Sequence, residues 1–450
     1  MKKESSINEV VTIRFSGDSG DGMQLTGTQF SDNTALFGND LSTLPDFPAE
    51  IRAPAGTLYG VSSFQLQFGS KEIFTAGDDL DVLVAMNPAA LKVHLSDLKE
   101  NGLLVINTDS FTPKNLKLAQ YESNPLDDEN LSQKYRLITV GMTKMVATAL
   151  DELDLTPKEK ARSTNMFALG LLYWLYERDL ASTSNFIKNK FKNKPLIVEG
   201  NVKALKTGYY YGETIEAIKT TYRVDKAKYE KGKYRNIMGN EALSLGLVAA
   251  SKINDIDLYF GGYPITPASD ILHYLSKYKS YGIKTFQAED EIAGITSVIG
   301  ASFSGKLGVT ATSGPGVALK GEAIGLAIIT ELPIVIINIQ RGGPSTGLPT
   351  KTEQSDLFQA MYGRNGECPC VVVASSSPSD CFEMAYEACR IALEHMIPVM
   401  LLSDGYIANG SEPWKYPDTK DLKKYNMNFL NEGEEFYPYK RDPKTLARKW

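Results

Sequence analysis

Tyr263-Pro264-Ile265-Thr266-Pro267-Ala268-Ser269 decides how this chain is read, because a strand end that turns through two prolines around a threonine is an unusual device. Proline holds φ at about −65° and lacks an N–H, so Pro264 and Pro267 stiffen the turn and set the direction of the Thr266 hydroxyl. Pre-organised polar groups of this kind are what a ligand pocket requires. An ordinary strand-to-helix connection, with Thr266 or Ser269 capping a helix that begins near Asp270, stands beside that reading.

Around the turn, apolar runs and helical periods alternate. A strand is expected over 257–260, helices over 270–278 and 291–304, then a strand over 307–311, a helix over 315–330 and a strand over 334–339. A strand over 371–374, a helix over 378–396 and a strand over 399–402 follow, with Pro315 and Pro378 placed as first helical residues. Such alternation indicates a doubly wound parallel sheet, whose ligands lie beyond the carboxyl ends of the strands. The marked residues cluster there: the Tyr263 turn, Ser313-Gly314-Pro315-Gly316 and Arg341-Gly342-Gly343-Pro344.

The amino-terminal half repeats the theme. A strand over 10–15 breaks at Ser16-Gly17-Asp18-Ser19-Gly20-Asp21-Gly22 and gives way to a helix over 23–36. Further strands are expected over 64–68, 81–86, 103–107 and 137–140, with a helix near 90–100 and others after Thr143, again a mostly parallel sheet covered by helices. The fold class is therefore α/β, with a Rossmann-like first domain over 1–218 and a second doubly wound domain over 237–410. Between them, 219–236 carries seven lysines and arginines against Asp225 and Glu230, which reads as a solvated linker or a basic surface helix. Residues 411–450 show no clear period and close on Ala447-Arg448-Lys449-Trp450, a poor end for a domain, so a missing carboxyl-terminal domain is expected.

Composition narrows the function classes. A chain of 450 residues needs several cores, and 42% hydrophobic content, 23% charged content and a net charge of −6 leave no nucleic-acid footprint. No apolar run approaches a membrane span and the start lacks a signal-peptide core, so a cytoplasmic protein is expected. Cys368, Cys370, Cys381 and Cys389 form neither a disulfide framework nor a cluster-binding run, and His94, His273 and His395 lack zinc-ligand spacing, so no metal site is expected in this chain.

Two stretches carry chemistry. Gln287-Ala288-Glu289-Asp290-Glu291 puts three acids at a helix start, followed on one face by Ala293, Gly294, Ser297, Gly300 and Ala301. The helix dipole accounts for two acids at a gain of about 0.3–1 kcal/mol. A third, facing small residues, suits a heteroaromatic nitrogen with which it shares a proton. The second stretch, Gln340 to Thr350, is nearly all small residues around Arg341, whose guanidinium suits a planar anion, or else an acid at an interface.

These residues match a family. The chain resembles, over nearly its whole length, the alpha subunit of the 2-oxoacid:ferredoxin oxidoreductases, thiamine-diphosphate enzymes, and within them the 2-oxoglutarate type with a fused amino-terminal gamma domain. The resemblance rests on Gly17-Asp18-Ser19-Gly20-Asp21-Gly22-Met23-Gln24, Pro48-Ala49-Glu50-Ile51-Arg52-Ala53-Pro54, Val84-Ala85-Met86-Asn87-Pro88, the Tyr263 turn, Ala288-Glu289-Asp290-Glu291, Thr312-Ser313-Gly314-Pro315-Gly316 and the arginine loop. It implies that the second domain holds the aminopyrimidine of thiamine diphosphate, with Tyr263, Pro264 and Ile265 beside it and Glu291 as the catalytic acid at N1′. Thr266, Arg341 and Thr350 would then contact the 2-oxoacid. It also implies a reaction in which a 2-oxoacid loses carbon dioxide, electrons pass to ferredoxin, and coenzyme A takes the acyl group.

The same resemblance places the diphosphate, Mg2+ and an iron–sulfur cluster on a separate beta subunit. Gly20-Asp21-Gly22 lacks the Asn-Asn pair that would make it a diphosphate motif, and reads as a glycine turn. Relatives of this domain order usually continue past Trp450. A non-catalytic assembly or regulatory subunit left by truncation is thus the alternative. The side-chain pocket for the 2-oxoacid stays open, with 2-oxoglutarate favoured over pyruvate and branched acids.

Overall fold

The computed structural model describes residues 4–50, 53–215, 220–427, 429–430, 433–446 and 448–450. Met1 to Lys3, Ile51 and Arg52 of the proline-flanked motif, Lys219 at the head of the basic stretch, and Ala447 lie outside the described residues. The chain divides into two units, Met1–Asn236 and Ile237–Trp450.

In the first unit a six-stranded sheet runs, by first residue, in the order Asp40, Val61, Val10, Leu80, Leu98, Arg136. It is less parallel than the alternation implies, because the Val61–Gly69 strand runs antiparallel to both Val10–Asp18 and Asp40–Asp46. The cause is local. The Met23–Phe37 helix stops at Gly38, whose φ of 100° suits glycine, and the chain drops at once into the Asp40–Asp46 edge strand, where Pro45 is tolerated. The helix expected over 90–100 is Pro88–His94, capped by the Asn87 side chain accepting from Ala90 N at 2.8 Å. Residues from Leu98 already belong to the Leu98–Asn107 strand.

The stretch read as a linker also contains a strand, Thr220–Val224, which pairs in parallel with Glu4–Asn8. Its Val224 is buried in the first core, so the β-branched residues outweigh the basic flanks. Beneath the sheet, the fully buried Thr164–Leu175 helix meets the Pro195–Thr214 helix backbone to backbone. A Cβ on Gly170 would fall 2.0 Å from the Leu205 carbonyl oxygen, and one on Gly208 would fall 2.0 Å from that of Phe167.

The second unit holds a six-stranded sheet in the order Lys284, Leu258, Leu307, Ile334, Val399, Val371, with every pair parallel. Its central Ile334–Gln340 strand is buried throughout, as expected of a parallel strand covered on both faces. From Leu258–Gly262 the chain first crosses to the Lys284–Gln287 strand on one side, then to Leu307–Thr312 on the other. The sheet's topological switch point therefore lies between Leu258–Gly262 and Leu307–Thr312. The expected helix over 315–330 is two, Gly314–Leu319 and Gly321–Ile329, broken at Lys320, and the Asp380–His395 helix begins two residues after Pro378. Residues beyond 410 pack on this core: Trp414 lies against Phe382, and Tyr425 against Tyr386.

Candidate active site

Each element of the second unit delivers its marked residue to the switch point. The Leu258–Gly262 strand ends at Tyr263, which is buried and whose hydroxyl lies 2.7 Å from Thr312 Oγ1 at the end of the neighbouring strand. Gly316 shows how tightly this corner closes. A Cβ there would fall 1.9 Å from Thr312 Oγ1, 2.3 Å from the Tyr263 hydroxyl and 3.2 Å from Glu291 Cγ, so three side chains converge where only glycine fits. Burial above all, with the Glu291 charge added, pushes the Tyr263 phenol well above its usual range against the lowering effect of Thr312. Tyr263 therefore stays a neutral hydrogen-bonding group.

The three acids separate by role. Asp290 is the N-cap of the Glu291–Phe303 helix, its side chain accepting from Ala293 N at 2.8 Å, and Glu289 is exposed. Glu291, at the first helical position, is half-buried and turned to the Tyr263 corner. Only one acid is thus poised over the switch point, as the small-residue face implies. Gly300, on that same helix, has nothing within 4 Å of where a Cβ would stand.

The proline turn is held by its own hydroxyl. Ser269 accepts from Ile265 N at 2.8 Å and donates to Ile265 O at 3.0 Å, while the Ser269–Leu275 helix has Ala268 at its N-cap position and no side-chain cap. Neither Thr266 nor Ser269 serves as the cap. Thr266 and Pro264 are exposed, Ile265 is half-buried, and the Thr266–Pro267 and Gly343–Pro344 peptide bonds are cis.

Arg341 joins the two loops. Its Nη1 donates to Thr266 O at 2.7 Å and its Nη2 to Thr346 O at 2.8 Å, while Nε is buried without a partner. These bonds go to backbone carbonyls, neither to an acid nor to a free anion position. Each terminal nitrogen keeps a second N–H. Burial lowers the guanidinium's proton affinity, and Tyr263 and Glu291 oppose this, leaving the group charged at neutral pH. A bridge between Gly342 and Leu348, with Gly342 N donating to Lys351 O at 2.7 Å, folds the half-buried Thr350 segment back toward Arg341. Arg341, Pro315, Thr346, Glu353 and Asp356 line a cavity of about 630 Å³.

Two features escaped the sequence reading. Lys320, which sits fully buried behind Glu291, showed only as a lone cation in the apolar run from Pro315 to Ile329. In the first unit, the glycine turn, the proline-flanked motif and the Asn87 motif meet: Asp18, Asp21, Ala53, Met86 and Asn165 line a cavity of about 540 Å³. Asp18 accepts from Gly56 N at 3.0 Å and Asp21 from Asp18 N at 2.8 Å, and burial raises Asp21 to about 6. A turn that looked purely structural thus borders a cavity at the ends of its strands.

The switch-point cradle suits a flat heteroaromatic ring. It offers one half-buried carboxyl, an aromatic face, small residues and the buried, unpartnered Ser313 Oγ. Comparison with known proteins agrees. Residues 254–449 match the family profile described as "Pyruvate flavodoxin/ferredoxin oxidoreductase, thiamine diP-bdg", and residues 12–211 match "Pyruvate ferredoxin/flavodoxin oxidoreductase". The second unit is thereby a thiamine-diphosphate-binding α/β domain.

The chain is 57% identical over 442 residues to the 2-oxoglutarate oxidoreductase subunit KorA of Mycobacterium tuberculosis, covering 98% of this chain and 68% of that protein. It is 43% identical over 196 residues to the 2-oxoglutarate synthase subunit KorA of Archaeoglobus fulgidus, covering 43% of this chain and 55% of that protein. The 2-oxoglutarate:ferredoxin oxidoreductase of Magnetococcus marinus, solved with 2-oxoglutarate, coenzyme A and succinyl-CoA bound, superposes with a TM-score of 0.82 at 28% identity, covering 98% of this chain and 72% of that one. The chain belongs to the 2-oxoacid:ferredoxin oxidoreductase family.

Proposed function

We propose that this chain is the alpha-type subunit of a cytoplasmic 2-oxoglutarate:ferredoxin oxidoreductase, converting 2-oxoglutarate and coenzyme A to acyl-CoA and carbon dioxide with electrons passed to ferredoxin. The observation that carries this is the convergence of Tyr263, Glu291 and Thr312 on Gly316 at the switch point, inside the segment matched by a thiamine-diphosphate-binding profile. Relatives whose names specify 2-oxoglutarate choose the substrate.

Bound thiamine diphosphate supplies the electron sink that lets a 2-oxoacid lose its carboxylate. Glu291 holds and shares the proton at the ring nitrogen N1′. Tyr263, Pro264 and Ile265 form the wall that orients the ring. Arg341 turns its remaining N–H donors to the substrate carboxylate, and Thr266 and Thr350 donate or accept beside it. Its two carbonyl bonds fix the guanidinium in advance, so little side-chain entropy is lost when the anion arrives.

The diphosphate, Mg2+ and the iron–sulfur cluster belong to a beta subunit in this reading. Supporting it, Cys381 and Cys389 are spent on the core under the Asp380–His395 helix, where burial raises the Cys381 thiol to about 12. Mixing this chain with its beta partner, then following 2-oxoglutarate- and coenzyme A-dependent dye reduction, is the test. Glu291→Gln should cut turnover by about 100-fold or more, the range a lost proton-transfer group produces. Near-normal turnover of that variant, or full activity of the beta chain alone, would overturn the assignment.

A further inference from the structure

Lys320 occupies surroundings that lysines rarely enter. It lies between the Gly314–Leu319 and Gly321–Ile329 helices, and its side chain is among the largest that are fully buried. Nζ donates to the backbone oxygen of Glu291 at 2.6 Å and lies 4.9 Å from the centre of the Tyr263 ring. An ammonium has three N–H donors, and among the described residues this is the hydrogen bond given to Nζ. Holding a helix end in place does not require a buried charge, which is costly where it is only partly paired.

The groups around it are few. Glu291 and Asp290 face Lys320 from the start of the Glu291–Phe303 helix, and Tyr263 faces it from the strand end with Arg341 beyond. Glu322 stands in the first turn of the helix that follows it, and Asp356 lies against Gly314. Positive charge at Lys320 therefore bears first on Glu291.

We propose that Lys320 is a positioning residue for Glu291, pinning its backbone through the carbonyl and setting a buried positive charge behind its carboxylate, so that the acid is held toward the ring nitrogen it serves. This rests on Glu291 being the proton-sharing acid. Burial, opposed by Glu291 and then Asp290, lowers the Lys320 ammonium to about 8. The charge is thus present at neutral pH and is lost as pH rises through about 8.

The test needs neither cofactor nor partner. In the full chain carrying 15N-labelled lysine, the Lys320 Nζ resonance is identified by its disappearance in Lys320→Met and followed across pH. In the wild-type chain its midpoint should lie near pH 8. In Glu291→Gln the midpoint should move down by at least about half a unit, a threefold loss of proton affinity, because the carboxylate that favours the ammonium is gone. An unchanged midpoint in Glu291→Gln, or a wild-type midpoint in the range of an exposed lysine, would overturn the proposal. Glu291→Asp guards against misfolding of the Gln variant: it keeps the charge, so a midpoint there as low as in Glu291→Gln also refutes the role. Because the ring is absent throughout, failure here leaves the Glu291 assignment standing, while loss of that assignment shows only in the turnover of Glu291→Gln.

Discussion

At the scale of single residues, the site depends on where charge is buried. Asp21 is a carboxyl that the fold makes harder to ionise, raised from 3.8 to about 6 by burial ahead of its hydrogen bonds. Between those values the folded chain keeps a proton that the unfolded chain has released, so stability falls as pH rises from about 4 to 6. By pH 7 the cost is about 3 kcal/mol, since each tenfold change in proton affinity is worth on the order of 1.4 kcal/mol. Asp21→Asn should therefore melt higher than wild type at pH 7 and show a shallower loss of stability from pH 4 to 6. Asp18, raised in the same way, should retain part of that slope. Equal slopes in thermal melts of the two proteins would mean that Asp21 is ionised freely. None of this was visible in the sequence, where Gly20-Asp21-Gly22 reads as a turn, because burial of a carboxyl depends on residues as distant as Asn87 and Asn165. Glu291 was legible by contrast: its neighbours in sequence are also its surroundings, namely an N-cap acid before it and a small-residue face after it.

At the scale of elements, the buried parallel strands announced themselves, as did the edge strands Arg136–Val140 and Val371–Ala374, whereas the edges Asp40–Asp46 and Lys284–Gln287 did not. Leu307–Thr312 and Ile334–Gln340 are apolar runs buried along their whole length. Lys284–Gln287 is a short, largely exposed edge strand that pairs on one side, so its residues carry no buried pattern to read. The expected helix over 315–330 divides at Lys320, where ψ is −4°, a local change of backbone that periodicity does not register. The close pairing of Thr164–Leu175 with Pro195–Thr214 was equally hidden, since glycines in helices read as weakness when they in fact permit contact. Gly208→Ala should destabilise the first unit by about 1–3 kcal/mol, because the new methyl meets the Phe167 carbonyl and its backbone. Denaturant melts check this, and a midpoint equal to wild type would show that the two helices can part at no cost.

At the scale of the whole molecule, the proposed function asks this chain for one half of a shared site. The second unit supplies an acid, an aromatic wall and an anchored arginine. The first unit carries its own cavity, bordered by motifs that the sequence had marked for family resemblance alone. Among the described residues no group of three acids, histidines or cysteines converges to hold a metal ion, and no helix is long and apolar enough to cross a membrane. The chain also spans 68% of the length of its mycobacterial relative. The central claim, that Glu291 serves the ring nitrogen of a cofactor gripped elsewhere by a partner, is tested most directly by a structure of the complex with thiamine diphosphate. The account predicts the Glu291 carboxyl within hydrogen-bond distance of the pyrimidine N1′, with the ring against Tyr263. A ring seated away from the Leu258–Gly262 and Leu307–Thr312 strand ends, with no carboxyl of this chain beside it, would contradict it.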